Sequence, residues 1–372
     1  MQLWFEQARL PGGWAEKVRV SVADGSIASV ETEVDPGADD ERHVIALPGL
    51  CNVHSHGFQR GMAGLSEQRG RPDDDFWSWR EVMYRFLDRL TPEDIAAITA
   101  QAYAEMLETG YTRVGEFHYL HNDVDGSRYA DPAETAASIV AAAETAGIGL
   151  TLLPVFYAHS DFGGAPANPG QRRFLSDVDS FARLVEASRA KLREGDNMGV
   201  APHSLRAVTP HELDTVLPLA EGGPIHIHAA EQLREVEACL AWSGARPVQW
   251  LLDHQDIGPR WCLVHATHLD EAETSALAAS GAVAGLCPIT EANLGDGVFP
   301  GEAYLDAGGM IGTGTDSNIA IDAAGELRMI EYAQRLQSRR RNILASERRR
   351  SVGATLFDAA LAGGAQALGV ET

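Results

Sequence analysis

His54 and His56, one residue apart, end the short apolar run that starts at Pro48. On a β-strand, residues i and i+2 point to the same face, so both imidazoles can reach one metal ion from a strand end. Three more strand-like runs end in residues of the same kind: Ile225-His226-Ile227-His228, Cys262-Leu263-Val264-His265 and Ile311-Gly312-Thr313-Gly314-Thr315-Asp316. Taken alone, His54-x-His56 also fits two polar core histidines. Four runs that all terminate in ligand or acid–base residues point to a metal site. Imidazoles plus a carboxylate suit Zn²⁺ or Fe²⁺, and such an ion brings the pKa of a bound water to about 7. We expect one divalent metal held by His54, His56, His228 and Asp316, most readily Zn²⁺, with Fe²⁺ as the alternative. His265 is left outside the ligands as a proton acceptor, because five protein ligands would leave less room for water and substrate. His226 shares a strand face with His228 and could replace it as ligand. The position of His228 nearer the strand end favours His228 and makes His226 a core histidine. His268, in the loop after His265, is the weaker candidate for the role of His265.

Two further features narrow the chemistry. Glu231 follows His228 at the spacing H-x-x-E, where a carboxyl group can take a proton from water and pass it to a departing nitrogen. The same residue could instead cap the next helix. Binuclear sites of this kind commonly use a strand lysine to bridge two metals. This chain has only Lys17 and Lys191, one in the N-terminal β segment and one in a helix. One metal is therefore expected, with His265, Glu231 and Asp316 as the catalytic groups.

The elements that must position these residues alternate. Strands are expected at 49–54, 112–117, 150–156, 198–202, 224–228, 261–265, 282–287 and 310–315, with helical stretches between them. The helix from Thr91 to Thr109 opens on Thr-Pro-Glu-Asp, a capping residue, a proline and two acids. Gly110 stops it. Eight βα units with every ligand at a strand's C-terminal end predict a TIM barrel, whose chemistry sits on that face. An open doubly wound sheet would want an early Gly-rich phosphate turn, and none is present. Before the barrel, Leu3–Phe5, Val18–Val22 and Ile27–Val30 read as strands joined by turns at Pro11-Gly12-Gly13 and Asp24-Gly25. The expected division is a small β-domain over 1–47, resembling part of a sandwich, and the barrel over 48–372.

The net charge of −23 argues against nucleic acid or an anionic membrane as partner. The basic runs Arg339–Arg341 and Arg348–Arg350 read as solvated faces of late helices. An anionic substrate must be met by arginines placed locally. Cys51, Cys239, Cys262 and Cys287 form no C-x-x-C pair and read as reduced, buried thiols. Glu6, Arg9, Glu16, Lys17 and Arg19 exclude a signal peptide from the first twenty residues. Ile139–Ala158 is apolar, but Glu144, Gly147, Gly149 and Pro154 make it a helix end followed by a buried strand. A cytoplasmic enzyme, with a homodimer as its assembly, is expected.

The H-x-H, H-x-x-E, H and D set, running from the first barrel strand to the last, resembles the amidohydrolase superfamily in its mononuclear deaminase branch. Within that branch the chain is most similar to the formimidoylglutamate deiminases. The resemblance rests on His54-Ser55-His56-Gly57-Phe58-Gln59-Arg60, Phe76-Trp77-Ser78-Trp79-Arg80, Glu116-Phe117-His118-Tyr119-Leu120-His121 and Pro202-His203-Ser204-Leu205-Arg206-Ala207-Val208. It implies that Gln59, Arg80, Tyr119, His203, Arg206 and Glu231 contact substrate. It also implies a small anionic substrate, N-formimidoyl-L-glutamate, whose two carboxylates Arg206 and Arg80 can each bind through charge-assisted hydrogen bonds. Gly57 departs from the family, where alanine is more usual. So does the end of the chain. The family continues past Leu368-Gly369-Val370 into strands that complete the small domain, so a cut or trimmed C-terminus is expected. A purine or pyrimidine deaminase is the alternative, with Trp77, Trp79 and Phe58 as its ring-stacking slot. A catalytically dead barrel used for binding is the more remote one.

Overall fold

The computed structural model describes every residue of the 372 except Arg71, Arg348 and Thr372. It divides into two compact units, Met1–Gly49 and Leu50–Thr372.

The first unit is one four-stranded sheet of β1 (Gln2–Leu10), β2 (Gly13–Ala23), β3 (Ser26–Glu31) and β4 (Glu41–Ala46), in the order β3-β2-β1-β4. The β2–β3 turn carries Asp24 at φ 51° and Gly25 at φ 75°, the left-handed pair that a tight hairpin requires. Strand β4 is not legible in the sequence. Its residues, Glu-Arg-His-Val-Ile-Ala, have no clean alternation, and they become a strand by pairing in parallel with β1, from Leu3 opposite Glu41 to Ala8 opposite Ala46.

The second unit is a parallel barrel. Its strands are β5 (Leu50–Ser55), β6 (Tyr111–His118), β7 (Gly149–Phe156), β8 (Asn197–Met198), β9 (Ala201–Pro202), β10 (Ile225–Ala229), β11 (Trp261–His265), β12 (Val283–Leu286) and β13 (Met310–Thr313). The order β10-β11-β12-β13-β5-β6-β7-β8 runs around the barrel, with β9 also on β7. Bridges Val200–Ile225 and Ser204–His228 complete the circuit, so β8 and β9 are two halves of the fourth barrel strand. The break falls at Gly199, which approaches Pro224 so closely that a Cβ would meet its carbonyl oxygen at 2.0 Å.

Local signals explain the helices well. The helix Pro92–Thr109 has a reciprocal cap between Thr91 and Asp94, and Gly110 ends it at φ 105°. Helix Glu134–Ala146 and strand β7 replace the apolar stretch Ile139–Ala158 as expected, and no helix among the described residues is long and apolar enough to cross a membrane. The basic runs differ from expectation. Arg339 ends the helix Ala323–Ser338 at φ 55°, and Arg340, Arg341, Arg349 and Arg350 lie in the exposed loop before the helix Val352–Ala367. Arg348 lies outside the described residues.

Strands buried on both faces form the core, as in β7, where Leu150, Leu152, Leu153, Val155 and Phe156 are all fully buried. The last helix packs against β13 and β5. Gly363 allows this approach, since a Cβ there would lie 2.0 Å from the carbonyl oxygen of Ile311. All four cysteines are buried and unpaired, although Cys287 falls just past the end of β12, as the residue before helix Pro288–Leu294.

Candidate active site

The C-terminal ends of β5, β10, β11 and β13 bring His54, His56, His228, His265 and Asp316 together, all nearly inaccessible to solvent. His54 Nε2 lies 3.2 Å from His56 Nε2 and 3.1 Å from His228 Nε2. Asp316 Oδ1 is 3.3 Å from His56 Nε2 and 3.5 Å from His54 Nε2. The outer nitrogens assign the protons. His56 Nδ1 is 2.9 Å from the Phe117 carbonyl and His228 Nδ1 is 2.9 Å from the His203 carbonyl. A carbonyl only accepts, so each Nδ1 carries the hydrogen and each Nε2 presents a lone pair. His54 Nε2 can donate to one of these neighbours at most, which leaves at least one buried lone-pair contact without a proton. A cation between the four donors removes that conflict, so the residues fit a divalent metal.

Backbone conformation presents these groups. Ala230, His265 and Asp316 have φ of 53°, 68° and 45°, left-handed values that non-glycine residues adopt only when their surroundings hold them there. Around β5 and β13 the holding is a buried amide network. Asn52 bonds Thr315, and the Asn318 side-chain amide donates to Ser55 Oγ and to the carbonyls of His56 and Asp316. Glu116, fully buried, accepts from Gly57 N at 2.6 Å and from the Tyr103 hydroxyl at 3.1 Å.

His265 stands beside the four donors. Its Nδ1 is 3.2 Å from Glu291 Oε1; its Nε2 faces Glu231 Oε1 at 3.7 Å and Asp316 Oδ2 at 3.9 Å. Burial pushes the imidazole pKa down, but the carboxylates of Glu231, Glu291 and Asp316 outweigh it and raise it to about 10. A cation at the neighbouring donors acts in the opposite direction. Burial also lifts the Glu231 carboxyl to about 7, against the pull of His265 and Arg206. Glu231 does not cap the following helix. Glu235 fills the neighbouring role, accepting from the backbone N–H groups of Ala230 and Glu231.

Next to these residues lies a pocket of about 60 Å³, lined by Gln59, Arg80, Tyr119, His203, Arg206 and Glu231 among others. Gln59 donates to the Tyr119 hydroxyl at 2.7 Å, and its own Oε1 is buried without a partner. Arg206 is 7% exposed and its Nε has no partner. Its nearest carboxylate oxygens, on Glu231 and Glu235, are 3.9 and 4.0 Å away. His226 and His268 belong elsewhere, with ring nitrogens against the carbonyls of Ala367 and Asp296. Of Trp77, Trp79 and Phe58, the residues expected to form a stacking slot, two lie outside the pocket, although Phe76, Tyr84, Tyr119, Tyr157 and Phe174 line it. Phe58 is fully buried against Tyr119, and the Trp77 ring lies under guanidinium groups. Trp79 is the one of those three that lines the pocket. Tyr84, Tyr157, Glu235 and Glu291 carry no mark in the sequence that would place them here. A carboxylate four residues after Glu231 is the one available hint.

The chain belongs to the amidohydrolase family, whose profile matches residues 45–371. Residues 3–44 match the profile described as formimidoylglutamate deiminase HutF, N-terminal domain. Over 370 residues the chain is 53% identical to a formimidoylglutamate deiminase of Pseudomonas aeruginosa, an alignment covering 99% of this chain and 82% of that protein. The crystal structure of an amidohydrolase from Brucella melitensis superimposes with a TM-score of 0.97 at 58% identity, covering 99% of this chain and 82% of the other. A more distant relative is a 5-methylthioadenosine/S-adenosylhomocysteine deaminase of Natronomonas pharaonis, 29% identical over 345 residues, or 89% of this chain and 70% of that protein.

Proposed function

We propose that this chain hydrolyses N-formimidoyl-L-glutamate to N-formyl-L-glutamate and ammonia, a step of histidine degradation. The observation that carries the reading is the 53% identity, spread over 99% of the chain, to a formimidoylglutamate deiminase. The pocket agrees with it chemically, because two guanidinium groups line it in a chain of net charge −23. A dicarboxylate is the ligand such a pocket favours.

His54, His56, His228 and Asp316 would hold the metal, for which we propose Zn²⁺. When bound, the ion polarises the substrate and supplies a water nucleophile at neutral pH. Glu231 takes a proton from the attacking water and passes it to the departing nitrogen; a carboxyl poised near 7 can do both. His265 Nε2, facing Glu231 Oε1 and Asp316 Oδ2, holds a proton among the three groups, while Glu291 fixes the ring from its other side. The formimidoyl carbon gains a bond to oxygen, loses its bond to the terminal nitrogen, and ammonia leaves. Gln59, Tyr119 and His203 orient the amidine, and Arg206 and Arg80 bind the carboxylates. Residues 48–372 carry this chemistry and residues 1–47 form the accessory β-domain of what we take to be a cytoplasmic enzyme. Ammonia release measured with formimidoylglutamate, guanine, cytosine and adenosine tests the assignment. Activity confined to the first supports it, and a faster rate with any ring substrate overturns it.

A further inference from the structure

Outside the inner pocket lies a cleft of about 390 Å³, and the two share Arg80, Tyr84 and Arg206 as a common wall. The inner pocket holds about 60 Å³. Because the wall is shared, a group bound to it is open to both cavities.

Trp77 occupies that cleft with an unusual set of neighbours. The guanidinium carbons of Arg80 and Arg234 each lie 4.5 Å from the centre of its indole ring, and that of Arg206 lies 6.0 Å away. A guanidinium held against an aromatic ring keeps its N–H edge available. Among the described residues, neither Arg80 nor Arg234 has a carboxylate oxygen within 4.0 Å, and the two nearest Arg206 are at 3.9 and 4.0 Å. Asp161 and Glu235, which line the same cleft with Glu81, turn oxygens to the backbone N–H groups of Phe162, and of Ala230 and Glu231, respectively. Three cations thus gather around one indole, and two of them, Arg80 and Arg234, have no carboxylate oxygen within 4.0 Å among the described residues.

We propose that Arg234 is a further substrate-binding residue, which with Arg80 holds the distal carboxylate of a dicarboxylate substrate in the outer cleft, leaving Arg206 for the carboxylate nearer the amidine. The inference rests on the substrate reading above and extends it to the cleft. Arg234 then selects dicarboxylates over monocarboxylates of the same length. Arg234→Met deletes the charge. Arg328→Met, at an exposed arginine on helix Ala323–Ser338 that lines neither cavity, makes the same change in net charge and serves as control. Calorimetric titration of the metal-loaded proteins with glutarate and with pentanoate reads the subsite without turnover. Arg234→Met should weaken glutarate binding about tenfold, the loss of one charge-assisted hydrogen bond. Pentanoate binding and the control should stay within about twofold, and Arg234→Lys should recover part of the loss. No glutarate binding to the wild type, an unchanged glutarate affinity in Arg234→Met, or an equal loss for pentanoate overturns the proposal. If glutarate binding depends on Arg234 but formimidoylglutamate yields no ammonia, the subsite stands and the substrate reading falls. If ammonia is released but glutarate affinity is independent of Arg234, the substrate reading stands and the subsite falls.

Discussion

Replacing Glu231 by glutamine tests the proton transfer proposed for it apart from everything else at the site. Glu231 is 5% exposed, with Oε1 3.7 Å from His265 Nε2 and Oε2 3.9 Å from Arg206 Nη2. Glutamine fills the same volume and can still hydrogen-bond, but its amide cannot take up a proton and release it. Burial lifts the Glu231 carboxyl to about 7, and a bound cation would draw it back toward its ordinary range. General acid–base catalysis contributes roughly 10²- to 10⁴-fold, and kcat for Glu231→Gln should fall by that amount. The carboxylate is the form that accepts the proton, so the wild-type rate should decline as pH drops. The midpoint should lie at or below about 7, because a bound cation favours the ionised form. In the variant that acid limb should flatten. Coupled ammonia release gives both quantities, and elemental analysis establishes that the variant keeps its metal. A loss of kcat below about fivefold, or an acid limb identical to the wild type, would refute the assignment.

Protein purified without added metal should contain about one equivalent of divalent ion per chain, as one set of strand-end donors implies; a reproducible second equivalent that activity follows would sink the mononuclear reading. Arg206→Met should reduce kcat/KM for formimidoylglutamate by roughly tenfold to a hundredfold, the worth of a hydrogen bond to a charged group, and affect a formimidoyl amine lacking carboxylates much less. Equal losses would make Arg206 a support for Glu231 and Glu235 instead. Glu116 supplies a pH test of stability. Burial raises its carboxyl to about 7 despite the hydrogen bonds from Gly57 and Tyr103, so folding favours the protonated form. Its contribution is intact below the ordinary value near 4.5 and is lost as pH climbs through about 7. The melting temperature of Glu116→Gln, measured against wild type, should therefore improve between about pH 5 and pH 8. A difference independent of pH would count against it.

Much of the barrel is readable because each strand is a short apolar run bounded by its own stop signals. Thr91, Pro92 and Gly110 mark their helix through local chemistry alone, and the structure keeps all three in those roles. Where the sequence misleads, the missing information is a distant partner. The fourth barrel strand is split where Gly199 meets Pro224, at the start of the neighbouring strand β10. Strand β4 forms because β1 lies beside it. Arg339, Arg340, Arg341, Arg349 and Arg350 leave their expected helices because those helices end before or begin after them.

The site divides in the same way. Period-two geometry puts His54 and His56 on one face, and the recurrence of ligand-type residues at later strand ends marks His228, His265 and Asp316. Those are properties of residue type and spacing, and they need no tertiary information. Which histidine nitrogen carries a proton depends on carbonyls of Phe117 and His203, 61 and 25 residues away. Glu291 behind His265, Glu235 beneath the Ala230–Glu231 turn, and three arginines around Trp77 are equally invisible in a linear pattern. The sequence by itself determined the donor chemistry, because a strand's repeat is local. Only the tertiary structure decided protonation and charge balance, because these arise from buried groups that barrel closure brings together at hydrogen-bond distance.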